Sequence, residues 1–126
     1  MKRLWLGLVL LALFFALGLV VSACMDRVHM EIAGKLENAA QLALQENDTL
    51  ARQQAQSAKS KWEKSWGWTA AVADHAPMDE IDGLFAQLQA FEGPEERAHY
   101  AATCAQLAKL VNAMAEAHRL SLQNLL

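Results

Sequence analysis

The stretch LWLGLVLLALFFALGLVVSACM, at residues 4–25, runs for 22 residues without a charge and directly follows Lys2 and Arg3. About 20 apolar residues in a helix, at 1.5 Å per residue, are enough to cross the ~30 Å hydrocarbon core of a bilayer. The stretch therefore predicts that this chain is a membrane protein or an exported one.

The same stretch has three interpretations, and the sequence leaves all of them open. An uncleaved anchor is favoured by length, because a signal-peptide apolar region has about 7 to 15 residues and residues 4–21 give 18. Val21-Ser22-Ala23 supplies the small residues that precede a secretory cleavage site. Together with Cys24 it also resembles a bacterial lipobox, in which the cysteine is lipidated and becomes the new N-terminus. Cys24 is therefore a candidate lipidation site.

The flanking charges predict one orientation under all three interpretations. Lys2 and Arg3 precede the apolar stretch and Asp26 follows it, so the positive-inside tendency keeps the N-terminus in the cytoplasm. We expect residues 1–25 to form the membrane anchor or signal segment and residues 26–126 to form one extracytoplasmic domain.

The charge of the outer domain restricts its partners. With Lys2 and Arg3 set aside, 9 basic residues face 14 acidic ones, which gives a net charge of −5. A nucleic acid or an anionic lipid surface would require the opposite sign. The domain has a single cysteine, Cys104, on an apolar helical stripe, and we expect a buried thiol there because free cysteines are among the most buried residues.

The composition predicts an all-α fold, because the chain is rich in strong helix formers, has two prolines and lacks alternating runs of β-branched residues. The first outer helix continues the membrane span to about Glu46. Asn47-Asp48-Thr49 forms a polar break, with Asp48 or Thr49 as the N-cap of a second helix.

The two prolines mark the later helices. The second helix extends from about residue 50 to 74, and the third begins with Pro77 at its first position. A fourth begins at Pro94, with Gly93 as its cap, and fades between Leu120 and Asn124. These helices form antiparallel hairpins that close as a four-helix bundle or as two stacked pairs. The expected core stripes are Met25, Val28, Ile32, Leu36, Ala39 and Ala43; Ala51, Ala55, Ala58, Trp62, Thr69 and Val72; Ile81, Leu84, Phe85, Leu88 and Phe91; and Tyr100, Cys104, Leu107, Val111, Met114 and His118.

Three of the four tryptophans lie within seven residues of the second helix. Trp62 and Trp66 are four residues apart and share a face, whereas Trp68 lies about 200° round the helix from Trp66. One hypothesis is that at least one of these rings belongs to an aromatic belt at the membrane interface. The alternative is that all three pack against the third and fourth helices.

Histidines and carboxylates near the third helix are the residue types of a metal site or an acid–base pair. The candidates are His75, Asp79, Asp82 and His118, but their spacing matches no metal signature. Ordinary helix ends explain them equally well, since acids favour a first turn and a histidine favours a last turn. We therefore expect no metal, no cofactor and no enzymatic activity.

The end of the chain is rich in leucine. The fourth helix is about twice as long as the third, so its last part, which includes His118 and Asn124, extends beyond the third helix. Either Leu122 and Leu125 pack on the base of the domain, or this segment bends, crosses the bundle or lies beside the membrane.

Several short motifs together resemble those of one bacterial family. They are the membrane segment, the paired tryptophans Trp62 and Trp66, the stretch from Asp74 to Asp82, and the ending AHRLSLQNLL at residues 117–126. They look like the membrane-anchored family called domain of unknown function 4363, over essentially the whole chain. The resemblance implies an anchored helical domain of Gram-positive-type bacteria without a known activity. Ala76-Pro77 stands where we would expect acidic residues in the family, which weakens the case for a shared charged site.

Two classes of function remain open. A membrane-anchored interaction or scaffold module, with a protein partner of unknown identity and no nucleic acid, accounts for the helical hairpins and the acidic surface. A small-ligand or metal-sensing bundle would instead need a polar cavity around His75, Asp79 and His118.

Overall fold

The structure is a computed structural model that describes residues 1–91 and 93–125, except for the side chains of Val72, Leu122 and Leu125. These residues form four α-helices and one short 3-10 turn, with no strand among them. The helices are α1 (Lys2–Leu44), α2 (Asp48–Val72), α3 (His75–Ala90) and α4 (Arg97–Leu125), and the 3-10 turn is Pro94–Glu96. The all-α prediction is confirmed.

The helices pack as a bundle in which each contacts its neighbours in chain order. α1 packs along both α2 and α4, and α3 packs on α4 and only sparsely on α2. Arg97, at the start of α4, binds Asp48 at the start of α2, whereas His118 near the end of α4 meets Ser22 of α1. α2 and α4 therefore both run back toward the apolar end of α1.

α1 is a single unbroken helix of 43 residues, about 65 Å long at 1.5 Å per residue. Residues 2–20 are exposed along their whole length, and this helix is long and apolar enough to cross a membrane. From His29 onward one face is buried in the bundle. The apolar segment and the first helix of the bundle are thus one rod, as the continuous stripe predicts.

The turn between α1 and α2 is built by backbone hydrogen bonds. The amides of Glu46 and Asn47 donate to the carbonyls of Ala43 and Leu42 at 3.1 and 2.9 Å, which is the Schellman pattern of helix ends. Glu46 adopts φ of 64° there, where a glycine is usual. The prediction that Asp48 or Thr49 caps α2 is wrong, because Asn47 holds the N-cap position without a side-chain hydrogen bond.

The starts of the last two helices differ from the prediction in detail. α3 begins at His75, two residues before Pro77, and the proline fits because the first four amides of a helix have no helical partner anyway. Gly93 precedes the next segment with φ of 107°, a conformation that favours glycine. Pro94 starts a 3-10 turn, and α4 itself begins only at Arg97.

The core agrees with the predicted stripes. Besides Cys104, twelve apolar residues of the stripes that we assigned to α1, α2 and α4 are buried, whereas Met25, Val28 and His118 are half-buried and Val72 lies outside the described side chains. In the α3 stripe Ile81, Phe85 and Leu88 are buried, and Leu84 and Phe91 are half-buried. Met78 is buried in addition, because it stands three residues before Ile81 on the same face of α3. The twelve buried apolar stripe residues of α1, α2 and α4 are Ile32, Leu36, Ala39, Ala43, Ala51, Ala55, Ala58, Trp62, Tyr100, Leu107, Val111 and Met114.

Cys104 is also fully buried, as predicted. Burial raises the pKa of its thiol to about 12, since the thiolate loses its hydration in the core. The thiol therefore stays protonated at neutral pH and serves as a small apolar core group.

Candidate functional site

Two indoles of α2 share one carboxylate of α3. Trp62 Nε1 donates to Asp82 Oδ1 at 2.6 Å, and Trp66 Nε1 donates to Asp82 Oδ2 at 3.1 Å. The two tryptophans reach the same carboxylate because residues four apart share a helix face. The ring of His75 lies edge-on to Trp66, with centroids 6.4 Å apart. We call Trp62, Trp66, His75 and Asp82 the indole clasp.

The clasp is a principal link between α2 and α3, which otherwise pack sparsely. Trp62 is 1% exposed, so its indole donates from inside the core, whereas Trp66 is 36% exposed and lies at the surface. All four residues of the indole clasp were candidates from the sequence, and the structure brings them together in a contact that joins α2 to α3.

The other sequence candidates lie elsewhere. Asp79 is exposed on α3 and Asn124 is exposed near the end of α4. Trp68 is 67% exposed, so the alternative in which all three tryptophans pack against α3 and α4 is wrong for this ring. Leu122 and Leu125 lie outside the described side chains, but α4 itself continues to Leu125.

A second cluster joins the bundle to the apolar end of α1. Ser22 Oγ lies 3.2 Å from His118 Nε2, and Arg119 Nε lies 3.6 Å from Asp26 Oδ2. One turn further along α1, His29 Nε2 lies 3.4 Å from Thr69 Oγ1 of α2. We call Ser22, Asp26, His29, Thr69, His118 and Arg119 the junction cluster.

His29 is the most buried ionisable group of the junction cluster, at 4% exposure. The Thr69 hydroxyl donates its one hydrogen to the Ser65 carbonyl at 2.9 Å, so His29 Nε2 must be the donor toward Thr69. Burial lowers the pKa of His29, Asp26 opposes that effect and His118 adds to it. The His29 ring also lies 6.2 Å from the Trp62 ring, which connects this cluster to the indole clasp.

An ion pair closes the opposite end of the bundle. Arg97 donates to both carboxylate oxygens of Asp48, at 2.8 and 2.7 Å, and its guanidinium lies 3.6 Å from Glu46. The hydrogen bonds from Arg97 lower the pKa of Asp48. The same carboxylate is thereby withdrawn from the N-cap role, because a bidentate guanidinium is a stronger partner than a backbone amide.

Several hollows lie between the described helices, and three of them bear on the candidate residues. The first, about 470 Å³, lies between α2 and α3 over a floor of Ala55, Phe85, Leu88 and Tyr100. We call it the α2–α3 groove. Its rim is polar and consists of Arg52, Gln53, Gln56, Lys59 and Gln89.

The second hollow is almost entirely apolar and lies between α1 and α2. It has about 260 Å³ and is lined by Val20, Val21, Cys24, Met25, Val28, His29, Ser65, Trp68 and Thr69. We call it the junction cleft. Five of these residues lie on α1 before the bundle closes, at the end of the apolar stretch.

The third hollow, about 450 Å³, lies between α4 and the start of α3, and Asp74, Glu80 and His118 line it. His75 and Asp79 do not line it, so the polar cavity that a sensing bundle would need is not formed by the candidate residues. In the described part of the chain, no three His, Cys, Asp or Glu side chains are placed to hold a metal ion.

Sequence reasoning missed most of the junction cluster. Ser22, Asp26 and His29 follow one another in steps of four and three residues. The buried face of α1 continues from His29 in the same steps, to Ala33 and Leu36. Polar residues on such a stripe were the available signal, since a buried polar group needs a partner.

His29 gives the domain a predicted dependence on pH. Unfolded histidine titrates near pH 6.5, and the folded pKa of His29 lies lower. The unfolded state therefore binds the proton more tightly, and the free energy of unfolding should fall as pH is lowered from 7.5 to 5.5. Urea titrations of the detergent-solubilised chain at both pH values measure this loss.

The control is a histidine on the surface. His29→Gln should flatten the difference between the two pH values, whereas His99→Gln, which changes an exposed histidine, should leave it in place. The Glu31 and Asp48 carboxyls do not interfere, because their lowered pKa values place their titration below this window. An equal loss of stability between pH 7.5 and 5.5 in the wild type, His29→Gln and His99→Gln would contradict the proposal that His29 causes the pH dependence.

The fold and these clusters define a class: a helical bundle built directly on one long, apolar N-terminal helix. The chain matches the family model described as a domain of unknown function, DUF4363, over residues 19–125, and it belongs to that family. Searches of curated proteins and of solved structures found no match. Membership assigns no role to any residue.

Proposed function

We propose that this protein is a membrane-anchored interaction module, whose bundle lies outside the cytoplasm and binds a partner protein in the α2–α3 groove. The observation that carries the proposal is the groove itself, where two helices separate above an apolar floor. Arg52 and Gln56 mark one rim and Gln89 the other. An apolar base with a polar rim is the usual anatomy of a protein interface.

The dimensions of the groove suit a helical or extended segment of a partner. Between Arg52 and Trp62, α2 advances about 15 Å, and an adjoining hollow of about 220 Å³ beside Trp62 and Asp82 continues the groove. Arg52 and Lys59 place two cations on the rim of an otherwise acidic domain, so a partner segment that carries carboxylates would be favoured.

The proposal does not include catalysis. Asp82 is engaged by two indoles, Asp48 is engaged by Arg97, and the Cys104 thiol is buried with a raised pKa. A catalytic group must instead be free to reach a reacting atom. These pairings support an interaction role in preference to an enzymatic one.

Crosslinking in intact cells tests the groove. A photoreactive amino acid at Gln56, on the rim, should give protein adducts, whereas the same residue at Glu116, which is exposed on α4, should give far fewer. Lys59→Gln should reduce the adducts from position 56 with little change in the melting temperature, because the ion pair that it removes, between Lys59 and Glu63, lies at the surface. Equal adduct yields at positions 56 and 116 would contradict the proposal.

We further propose that α1 remains uncleaved as the membrane anchor. Cleavage before Cys24 would remove Ser22 and with it the contact to His118. It would also remove Val20 and Val21 from the wall of the junction cleft. The bundle uses residues on both sides of the candidate cleavage site, which supports retention of the whole segment.

Intact mass of the protein extracted from membranes tests that anchor. We expect the mass of a chain that retains residues 1–23. Cys24→Ser should change that mass only by the substitution itself and should leave the protein in the membrane. A mass that corresponds to residues 24–126 with a diacylglyceryl group, lost in Cys24→Ser, would assign the protein to the lipoproteins instead.

A further inference from the structure

The junction cleft combines an apolar lining with a position at the end of the apolar stretch. We propose that it holds part of an acyl chain from a phospholipid of the surrounding membrane, inserted between α1 and α2. This inference rests on the proposed membrane anchor and is independent of the partner groove.

The chemistry of the walls favours an apolar occupant. Ser65 Oγ donates to the Trp62 carbonyl at 3.0 Å, and Thr69 Oγ1 donates to the Ser65 carbonyl. His29 is paired with Thr69 in turn. Ser65, Thr69 and His29 thus each have a hydrogen-bond partner within the protein, so a polar ligand would lose its hydration and gain few partners from these walls.

The position of the cleft identifies the source of the occupant. Val20, Val21 and Cys24 belong to the 22-residue uncharged stretch, so the cleft opens at the outer end of the segment that would cross the bilayer. The apolar surface of the span continues without a break into the cleft. Trp68 forms part of the other wall and is 67% exposed, and such rings are enriched at the level of the lipid headgroups.

The shape of the cleft suits a linear chain. Its α1 wall extends from Val20 to Val28, about 12 Å along the helix axis, and a spanning α1 lies along the same direction as the acyl chains of the bilayer. A cleft of about 260 Å³ would otherwise have to hold water against apolar walls, which water occupies poorly. An acyl chain removes that water and requires no polar contact.

Native mass spectrometry of the full-length protein, extracted gently from phosphatidylcholine vesicles, tests the proposal. The wild type should retain one phosphatidylcholine per chain. Val28→Phe, which fills the cleft, should lower the retained fraction at least fivefold. Leu13→Phe makes a similar enlargement on an exposed part of α1 and should retain the lipid. Val21→Phe provides a second filled cleft if Val28→Phe lowers the melting temperature.

Each other outcome has a definite meaning. Equal retention in Val28→Phe, Val21→Phe and Leu13→Phe, or no retained lipid in the wild type, would overturn the proposal. A retained free fatty acid, or a doubled protein mass that the filled variants lose, would assign the cleft to a different occupant and also overturn it. Alkaline extraction of the same membranes distinguishes failure of the proposed anchor from failure of the lipid proposal. Release of the protein would contradict the membrane anchor, whereas a protein that stays in the membrane but holds no lipid would contradict only the acyl chain in the junction cleft.

Discussion

Trp62→Ala is expected to lower the free energy of unfolding by about 3 to 5 kcal/mol, the usual cost of truncating a large buried aromatic residue. Trp62 is 1% exposed, donates to Asp82 at 2.6 Å and packs beside His29. Its removal leaves a cavity where α1, α2 and α3 meet. Because domains of this size are stable by only about 5 to 15 kcal/mol, the variant should lose a large fraction of its stability.

Trp68→Ala is the matched control for this change. It removes the same side chain from the same helix, six residues further along, where the ring is 67% exposed. Surface substitutions usually change stability by about 0.5 kcal/mol or less. Urea unfolding of both variants in detergent, followed by circular dichroism, gives the comparison, and similar losses in the two would contradict the central position of Trp62.

Asp82→Ala should cost about 1 to 3 kcal/mol, because it leaves the buried Trp62 indole without its acceptor. The exposed Trp66 indole can turn to water and contributes less to this loss. The emission of the clasp tryptophans should change at the same time, since both lose a charged neighbour. Chemical denaturation gives the stability change, and fluorescence spectra recorded without denaturant show the local one.

Asp79→Ala removes an exposed carboxylate one turn earlier on α3 and should leave stability nearly unchanged. Combining Asp82→Ala with Trp62→Ala completes a double-mutant cycle. We expect the loss in the double variant to be smaller than the sum of the two single losses, because residues in contact are usually coupled by about 0.5 kcal/mol or more. Additive losses would mean that the hydrogen bond between them contributes nothing.

The helices and their buried faces could be predicted because both depend on local sequence. The stripe of Ala51, Ala55, Ala58 and Trp62 repeats at spacings of three and four, and each of these residues is buried. Periodicity of this kind depends only on the helix itself. The buried face of a helix can therefore be predicted without knowing which helices pack against it.

Contacts between distant residues explain where the prediction failed. Asp48 has the residue type and position of an N-cap, yet its carboxylate is bound by Arg97, 49 residues away. Ser22 meets His118 across 96 residues, so neither residue identifies the other in the sequence. His29 continues a face of α1 that also carries Ser22 and Asp26, and its contact depends on Thr69, which a different helix supplies.

The candidate residues themselves were partly predictable. Trp62 and Trp66 share a helix face by spacing alone, but a single sequence does not show that Asp82 would meet both of them. The grouping of His75 with Asp79 as a charged site was based on residue type only. In the structure His75 contacts an indole, while Asp79 is exposed.

We propose that α1 spans the membrane and carries the bundle on its outer side. In a Cys24→Ser background, where Cys104 is buried and unreactive, a maleimide that does not cross the cytoplasmic membrane should label Gln106→Cys in intact cells. Lys2→Cys should be labelled only after the membrane is permeabilised, on a protein of full length. Labelling of Lys2→Cys in intact cells, protection of Gln106→Cys, or loss of the Lys2→Cys segment from the mature protein would contradict the account.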